Sequence, residues 1–145
     1  MLSKDFKEFI ELLNENRVKY LVVGGYAVAL HGHPRYTKDL GVWIELAPDN
    51  AVRILKALEK FGFGSIDLKV DDFLKSDQII QLGYPPNRID ILTTLKDLQF
   101  GDCYKLRVQV EIQGLHITFI DIENLKKNKR ATGRLQDLAD VENLE

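Results

Sequence analysis

GGYAVALHGHPRYTKDLG, residues 24–41, decides the fold, because it joins a glycine pair, a short helical run and an acid that opens a strand. Upstream, VKYLVVGG (residues 18–25) is a β-branched apolar run ending in Gly24 and Gly25, and it reads as a buried central strand that turns sharply. Glycine lets the backbone approach a ligand closely. The N–H groups opening the next helix, over residues 26–31, form an electropositive end suited to a triphosphate. After the loop GHPRYT comes DLGVWIEL, residues 39–46. Its alternation puts Leu40, Val42, Ile44 and Leu46 on one face of a strand and Asp39, Gly41, Trp43 and Glu45 on the other.

Working outward, residues 3–16 carry Phe6, Phe9, Ile10, Leu12 and Leu13 at helical spacing, with Ser3 as N-cap and Asn14 to Asn16 as the stop. Pro48 starts a helix that runs to about residue 61. GFGS then marks a turn, and VDDFLKS a short helix. QIIQLG and RIDILTT flank the turn YPPN as a hairpin, with Ile89 and Ile91 pointing one way and Arg88 and Asp90 the other. Strands are expected over residues 105–112 and 115–120 around the tight-turn pair QG, and helices over 121–129 and 134–144. The order of elements predicts one α/β (α+β) domain over residues 1–145, a mixed β-sheet with flanking helices.

Composition sets the outer bounds. At 145 residues the chain buries a core without disulfides, and 45% apolar with 29% charged residues excludes disordered and fibrous classes. No apolar run approaches the roughly 20 residues of a membrane span. The amphipathic start MLSKDFKEFIELL is unlike a signal peptide, so a cytoplasmic protein is expected. A net charge of −2 supplies no general attraction to nucleic acid, which leaves only the local cluster KKNKR (residues 126–130) for such a role. The single cysteine, Cys103, has no nucleophile or zinc pattern near it.

Acids spaced i and i+2 on a strand put two carboxylates on one face, where they hold a divalent cation. Here the first position is Asp39 and the second is Gly41. Asp90, on a strand whose other face is Ile-rich, is the candidate for a third corner. Glycine is a poor choice for a strand interior, since it has little strand propensity and no side chain to pack.

The glycine pair, HG, PR, Thr37, Asp39 and the distant Asp90 together resemble the motif of the polymerase-β-like nucleotidyltransferase superfamily. They are most similar to its small bacterial and archaeal minimal nucleotidyltransferases and to nucleotidyltransferase-like proteins of toxin–antitoxin loci. The ending LKKNKRATGRLQDLADVENL resembles the C-terminal helix pair of that group. The resemblance implies a nucleotidyltransferase fold and Mg²⁺- or Mn²⁺-dependent transfer of a nucleoside monophosphate from a nucleoside triphosphate to a hydroxyl of protein or RNA. By position it implies a two-metal mechanism in which the catalytic residues are Asp39, bridging the metals, and Asp90, on the nucleophile-side metal, with Gly24 and Gly25 at the phosphates. Against that motif Gly41 stands at the missing third ligand, an acid lost by natural degeneration or by an inactivating change to a D-L-D parent, so impaired activity is expected.

Other residues carry two readings each. Arg35 and Thr37 are placed to contact phosphate or sugar, or to order the loop. In the basic cluster Lys129 is the best nucleotide-binding candidate, although charges near a helix C-terminus also complement its dipole. Trp43 either borders a base or packs under a covering helix, and His31 and His33 are expected to be structural. Arg134, Asp137 and Asp140 suit an ion-pair ladder that braces the pocket. The alternative function is a non-catalytic nucleotide- or partner-binding module, such as a toxin–antitoxin component. A nucleic-acid-binding protein using residues 126–130 is a third.

Overall fold

The structure, a computed structural model, describes residues 2–32, 39–62, 67–84 and 87–145. Among these, six strands form one mixed sheet in the order β3-β4-β2-β1-β6-β5. The strands are β1 (Tyr20–Val23), β2 (Asp39–Ile44), β3 (Ile79–Leu82), β4 (Arg88–Leu92), β5 (Val108–Ile112) and β6 (Leu115–Phe119). β1 pairs antiparallel with β2 and parallel with β6, while β2 pairs parallel with β4. The two outer pairs, β3–β4 and β5–β6, are the antiparallel hairpins expected from the turn signals. At the second, Gln113 and Gly114 both take positive φ (54° and 80°), the backbone of a two-residue hairpin turn whose twist matches the strands.

Among the described residues there are six α-helices, α1 (Lys4–Glu15), α2 (Gly24–Leu30), α3 (Pro48–Phe61), α4 (Phe100–Lys105), α5 (Ile122–Thr132) and α6 (Leu135–Leu144), and a short 3₁₀ helix, Val70–Phe73. Ser3 caps α1, its Oγ accepting from the Phe6 N–H, and the helix buries Phe6, Phe9, Ile10 and Leu13. Pro48 opens α3 and Gly62 closes it in the left-handed conformation. The apolar faces of α1 and α3 join Leu40, Val42 and Ile44 of β2 in the core. Buried Asn50 stitches this side together: its Oδ1 accepts from the Lys19 N–H, and its Nδ2 donates to the Lys19 and Glu45 carbonyls. Among the described residues, no helix is long and apolar enough to cross a membrane.

Three expectations need correction. The glycine pair does not end β1; the strand stops at Val23 and Gly24 already belongs to α2. The strand expected from residue 105 begins at Val108, because residues 100–105 form α4. That helix is too short to show a period; Phe100 and Tyr104 stack one turn apart, 5.4 Å between centroids, and Cys103 is buried. Burial, reinforced by the nearby Asp121 and Asp102, pushes the Cys103 thiol up to about 11, which leaves it an unreactive core residue.

Lys129 is the third. Its ammonium is buried between α5 and α6, 3.0 Å from Asp137 Oδ1 and 2.9 Å from Asp140 Oδ2. The rest of the basic cluster is dispersed. Lys126 pairs with Glu123 and Arg130 with Glu145, so residues 126–130 do not form one cationic surface. Burial raises the Asp137 carboxyl, but hydrogen bonds from Thr132, Arg134 and Lys129 outweigh it and hold the group at about 2.

Because this carboxylate is depressed below its ordinary 3.8, its contribution is complete above about pH 4. It is lost as pH falls through about 2. Asp137→Asn is therefore expected to cost roughly 3–5 kcal/mol at pH 7, the usual penalty for breaking a buried pair. In urea titrations its deficit against the unsubstituted protein shrinks between about pH 4 and pH 2.

Candidate active site

The chain leaves β1 with an extended Val23 and enters α2 through Gly24, whose φ of 69° is in the left-handed region where side chains with a Cβ are strained. Conformation, not crowding, requires glycine here, since an added Cβ would meet nothing within 4 Å. Gly25 is the second residue of the helix. Val23 is the register partner of Gly41, so α2 starts beside the beginning of β2, where Asp39 stands.

Parallel pairing of β2 with β4 sets Asp39 opposite Arg88 and Gly41 opposite Asp90. Strand alternation turns these side chains to the face opposite Leu40, Val42, Ile89 and Ile91, which are buried. Both carboxylates meet one guanidinium. Arg88 Nη2 donates to Asp39 Oδ2 at 2.8 Å and to Asp90 Oδ2 at 3.2 Å. Its Nε lies 3.0 Å from Asp90 Oδ1, off the hydrogen-bonding line, so that approach is an ion contact. Burial raises the Asp90 pKa; Arg88 opposes the rise, the Asp39 charge adds to it, and the net direction is upward.

Gly41 has no positive φ, so its backbone does not demand glycine. An added Cβ would sit 3.4 Å from Val23 Cγ2 and 3.6 Å from the Val23 carbonyl oxygen, ordinary contact distances. The position therefore accepts a Cβ without backbone strain. Directly opposite Asp90, an aspartate there would place like charges side by side, a destabilising pairing unless a cation sits between them.

The donor set fits one hard cation. Mg²⁺ is commonly held by one or two carboxylates together with substrate phosphates. Among the described residues the set offers the two carboxylates of Asp39 and Asp90. Among the described residues, no group of three or more His, Cys, Asp and Glu side chains is arranged to hold a metal.

The structure thus brings Asp39, Gly41 and Asp90 together beside the start of α2, and it turns Lys129 into the α5–α6 interface. Arg35, Thr37 and His33 lie outside the described residues, as do the prolines of YPPN. His31 Nε2 is 2.8 Å from the Ile120 carbonyl oxygen, a structural contact. Trp43 is buried edge-on against Phe100, 5.1 Å between centroids. The residue that sequence reasoning passed over is Arg88. Its spacing of two from Asp90 on a strand already put both on one face, and that was the available signal.

A six-stranded mixed sheet with acids at the start of β2 and on the parallel neighbour β4 defines a nucleotidyltransferase-like protein. The chain belongs to the family described as nucleotidyltransferase of unknown function (DUF6036), whose model matches residues 2–145. Two solved structures share the fold. A candidate nucleotidyltransferase from Thermotoga maritima has a TM-score of 0.64 at 17% identity, covering 94% of this chain and 88% of that one. An antigenic nucleotidyltransferase-like protein from Paracoccidioides brasiliensis has a TM-score of 0.58 at 16% identity, covering 99% and 77%. No curated protein is significantly similar to the chain.

Removing the guanidinium while keeping its hydrogen-bonding shape should leave two neighbouring carboxylates with less compensation. Arg88→Gln is expected to cost roughly 1–3 kcal/mol without divalent ions. Millimolar Mn²⁺ should restore part of that loss in urea denaturation, while changing the unsubstituted protein less.

Proposed function

We propose that the chain is a nucleotidyltransferase that binds a nucleoside triphosphate with one divalent cation, and that Gly41 slows its transfer step. The observation that supports this reading is the placement of Asp39 and Asp90 on one face of adjacent parallel strands, beside the glycine entry to α2. Asp39 and Asp90 would hold the Mg²⁺ or Mn²⁺. Bound there, the ion would supply neutralisation of the triphosphate and activation of the acceptor hydroxyl.

In the reaction proposed, the acceptor oxygen bonds to the α-phosphorus and the bond from that phosphorus to the bridging oxygen breaks. Pyrophosphate leaves with the electron pair, and the hydroxyl proton passes to Asp90 or to water. Gly24 and Gly25 allow close approach of the backbone to the phosphates, and Arg35 and Thr37 are assigned to phosphate or sugar. Arg88 holds the two carboxylates together, and with a cation bound its fork of donors would be available to phosphate oxygens. A nucleoside triphosphate donor accords with the cytoplasmic setting expected from the sequence. The acceptor is a hydroxyl of protein or RNA.

A specific observation favours a second reading. Arg88 already compensates both carboxylates without any metal. A site neutralised from within suits a non-catalytic module that binds nucleotide or a partner.

The two readings separate in one experiment. The unsubstituted protein and Gly41→Asp are incubated with labelled nucleoside triphosphates, Mn²⁺ and cell extract. Loss of even an outer-sphere partner of a metal site costs about 10–100-fold. Gly41→Asp is therefore expected to tighten Mn²⁺ binding at least tenfold and to raise labelled product by a similar factor. Absence of label from both proteins, together with absence of Mn²⁺-dependent triphosphate binding, would falsify the transferase reading.

A further inference from the structure

We propose that a groove on the β3 side of the carboxylates is the acceptor subsite, built for an extended polypeptide segment that carries a hydroxyl side chain beside a basic residue. The inference rests on the transferase reading above and narrows its acceptor from protein or RNA to protein. The groove is a cavity of about 930 Å³ whose lining includes Trp43, Glu45, Ile79, Leu92 and Phe100. Trp43 and Leu92 lie two residues beyond Gly41 and Asp90 on the same strands, so they share the carboxylate face. At the ordinary strand rise that offset is about 6.6 Å along the strand; Asp39, Arg88 and Asp90 are not themselves in the lining, so the occupant proposed must extend a long hydroxyl side chain from the groove toward them. The entry to α2 stands at the other end of β2, so donor and acceptor would approach the carboxylates from opposite directions.

Charge and edge geometry choose the occupant. The lining carries the carboxylates Glu45, Asp77 and Asp97 and the ammonium of Lys96, and Lys19, outside the lining, reaches Glu45 at 3.9 Å, so the balance of three acids to two cations is acidic. Nucleic-acid binding depends on cations that meet phosphates, so this lining disfavours RNA and favours a basic segment. The floor is apolar, with Trp43 packed on Phe100, and Ile79 at the rim is 60% exposed. Ile79 belongs to β3, the outermost strand of the described sheet on this side. An outermost strand offers main-chain N–H and C=O groups for pairing with an extended peptide, and alternate side chains of that peptide then point into the groove.

Trp43 is the only tryptophan of the chain, so its emission reports on the groove. The full-length protein is titrated with two pools of nine-residue peptides. Both have a central tyrosine, and they are identical except that two flanking positions are lysine in one and glutamate in the other. The lysine pool is expected to change Trp43 emission at concentrations at least tenfold lower than the glutamate pool, and a ten-nucleotide single-stranded RNA should bind more weakly than either.

Glu45→Lys combined with Asp97→Asn should abolish or reverse that preference; asparagine suits the left-handed backbone at residue 97 (φ 65°). Lys96→Glu, on an exposed side chain, should strengthen it. Equal response to both pools, a preference indifferent to these substitutions, or tighter binding of RNA would each overturn the proposal. Triphosphate binding is followed separately in the same samples. Lysine-pool binding by a protein that takes no triphosphate would leave a docking surface and remove its assignment as an acceptor subsite.

Discussion

The parallel register of β2 on β4 is the constraint from which the rest of the site follows. Side chains on a strand alternate with a period of two, so a slip of one residue in β2 would turn Asp39 into the core and bring Leu40 out, and the same slip in β4 would exchange Asp90 with Ile89. The apolar face forbids that slip, because Leu40, Val42, Ile89 and Ile91 are each buried among side chains of the core. Core packing thereby fixes the positions of groups that contribute little to the core themselves. The cross-strand pair of Asp39 with Arg88 adds a charge match to the same register.

Much of this architecture was legible locally. The alternation in DLGVWIEL, the proline start of α3, the serine cap of α1 and the QG turn each depend on residues within one element, and each is found in the structure. What could not be read was the choice of partner for each element. Arg88 and Asp90 were seen to share a face, yet Arg88 meets Asp39 only because β4 docks beside β2 after a crossover that spans α3 and β3. Lys129 looked like a surface charge in a basic run. Its partners Asp137 and Asp140 follow the αL turn at Gly133, and only the packing of α6 against α5 buries all three. α4 escaped because six residues hold less than two helical turns, too few for a hydrophobic period to show.

The buried charges divide by the kind of compensation they receive. Lys129 is enclosed by two carboxylates whose remaining oxygens are taken by Thr132, Arg134 and Gln136, a closed network with a structural result. Arg88 is a different case: its guanidinium, Asp39 and Asp90 keep side-chain exposures of 29%, 37% and 18%, so solvent and ligands reach them. Partial exposure lowers what such contacts contribute to stability. It also lowers the cost of exchanging them, and a set of groups that can trade one cation for another is what a metal-dependent site needs.

That contrast bears on Gly41. An aspartate there would leave three carboxylates on one face with Arg88 as their counter-ion, and directly opposed like charges on adjacent strands favour a state in which an added cation lies between them. With glycine, Arg88 compensates the two acids that remain, and the sheet can form its β2–β4 register without any bound ion. The glycine thus separates two properties that an acidic residue would couple. Folding then depends less on a cation, and in the proposed nucleotide complex any cation would be held by Asp39, Asp90 and the phosphates alone. A change that removes one carboxylate therefore weakens the chemistry of the face while relieving the electrostatic strain of building it.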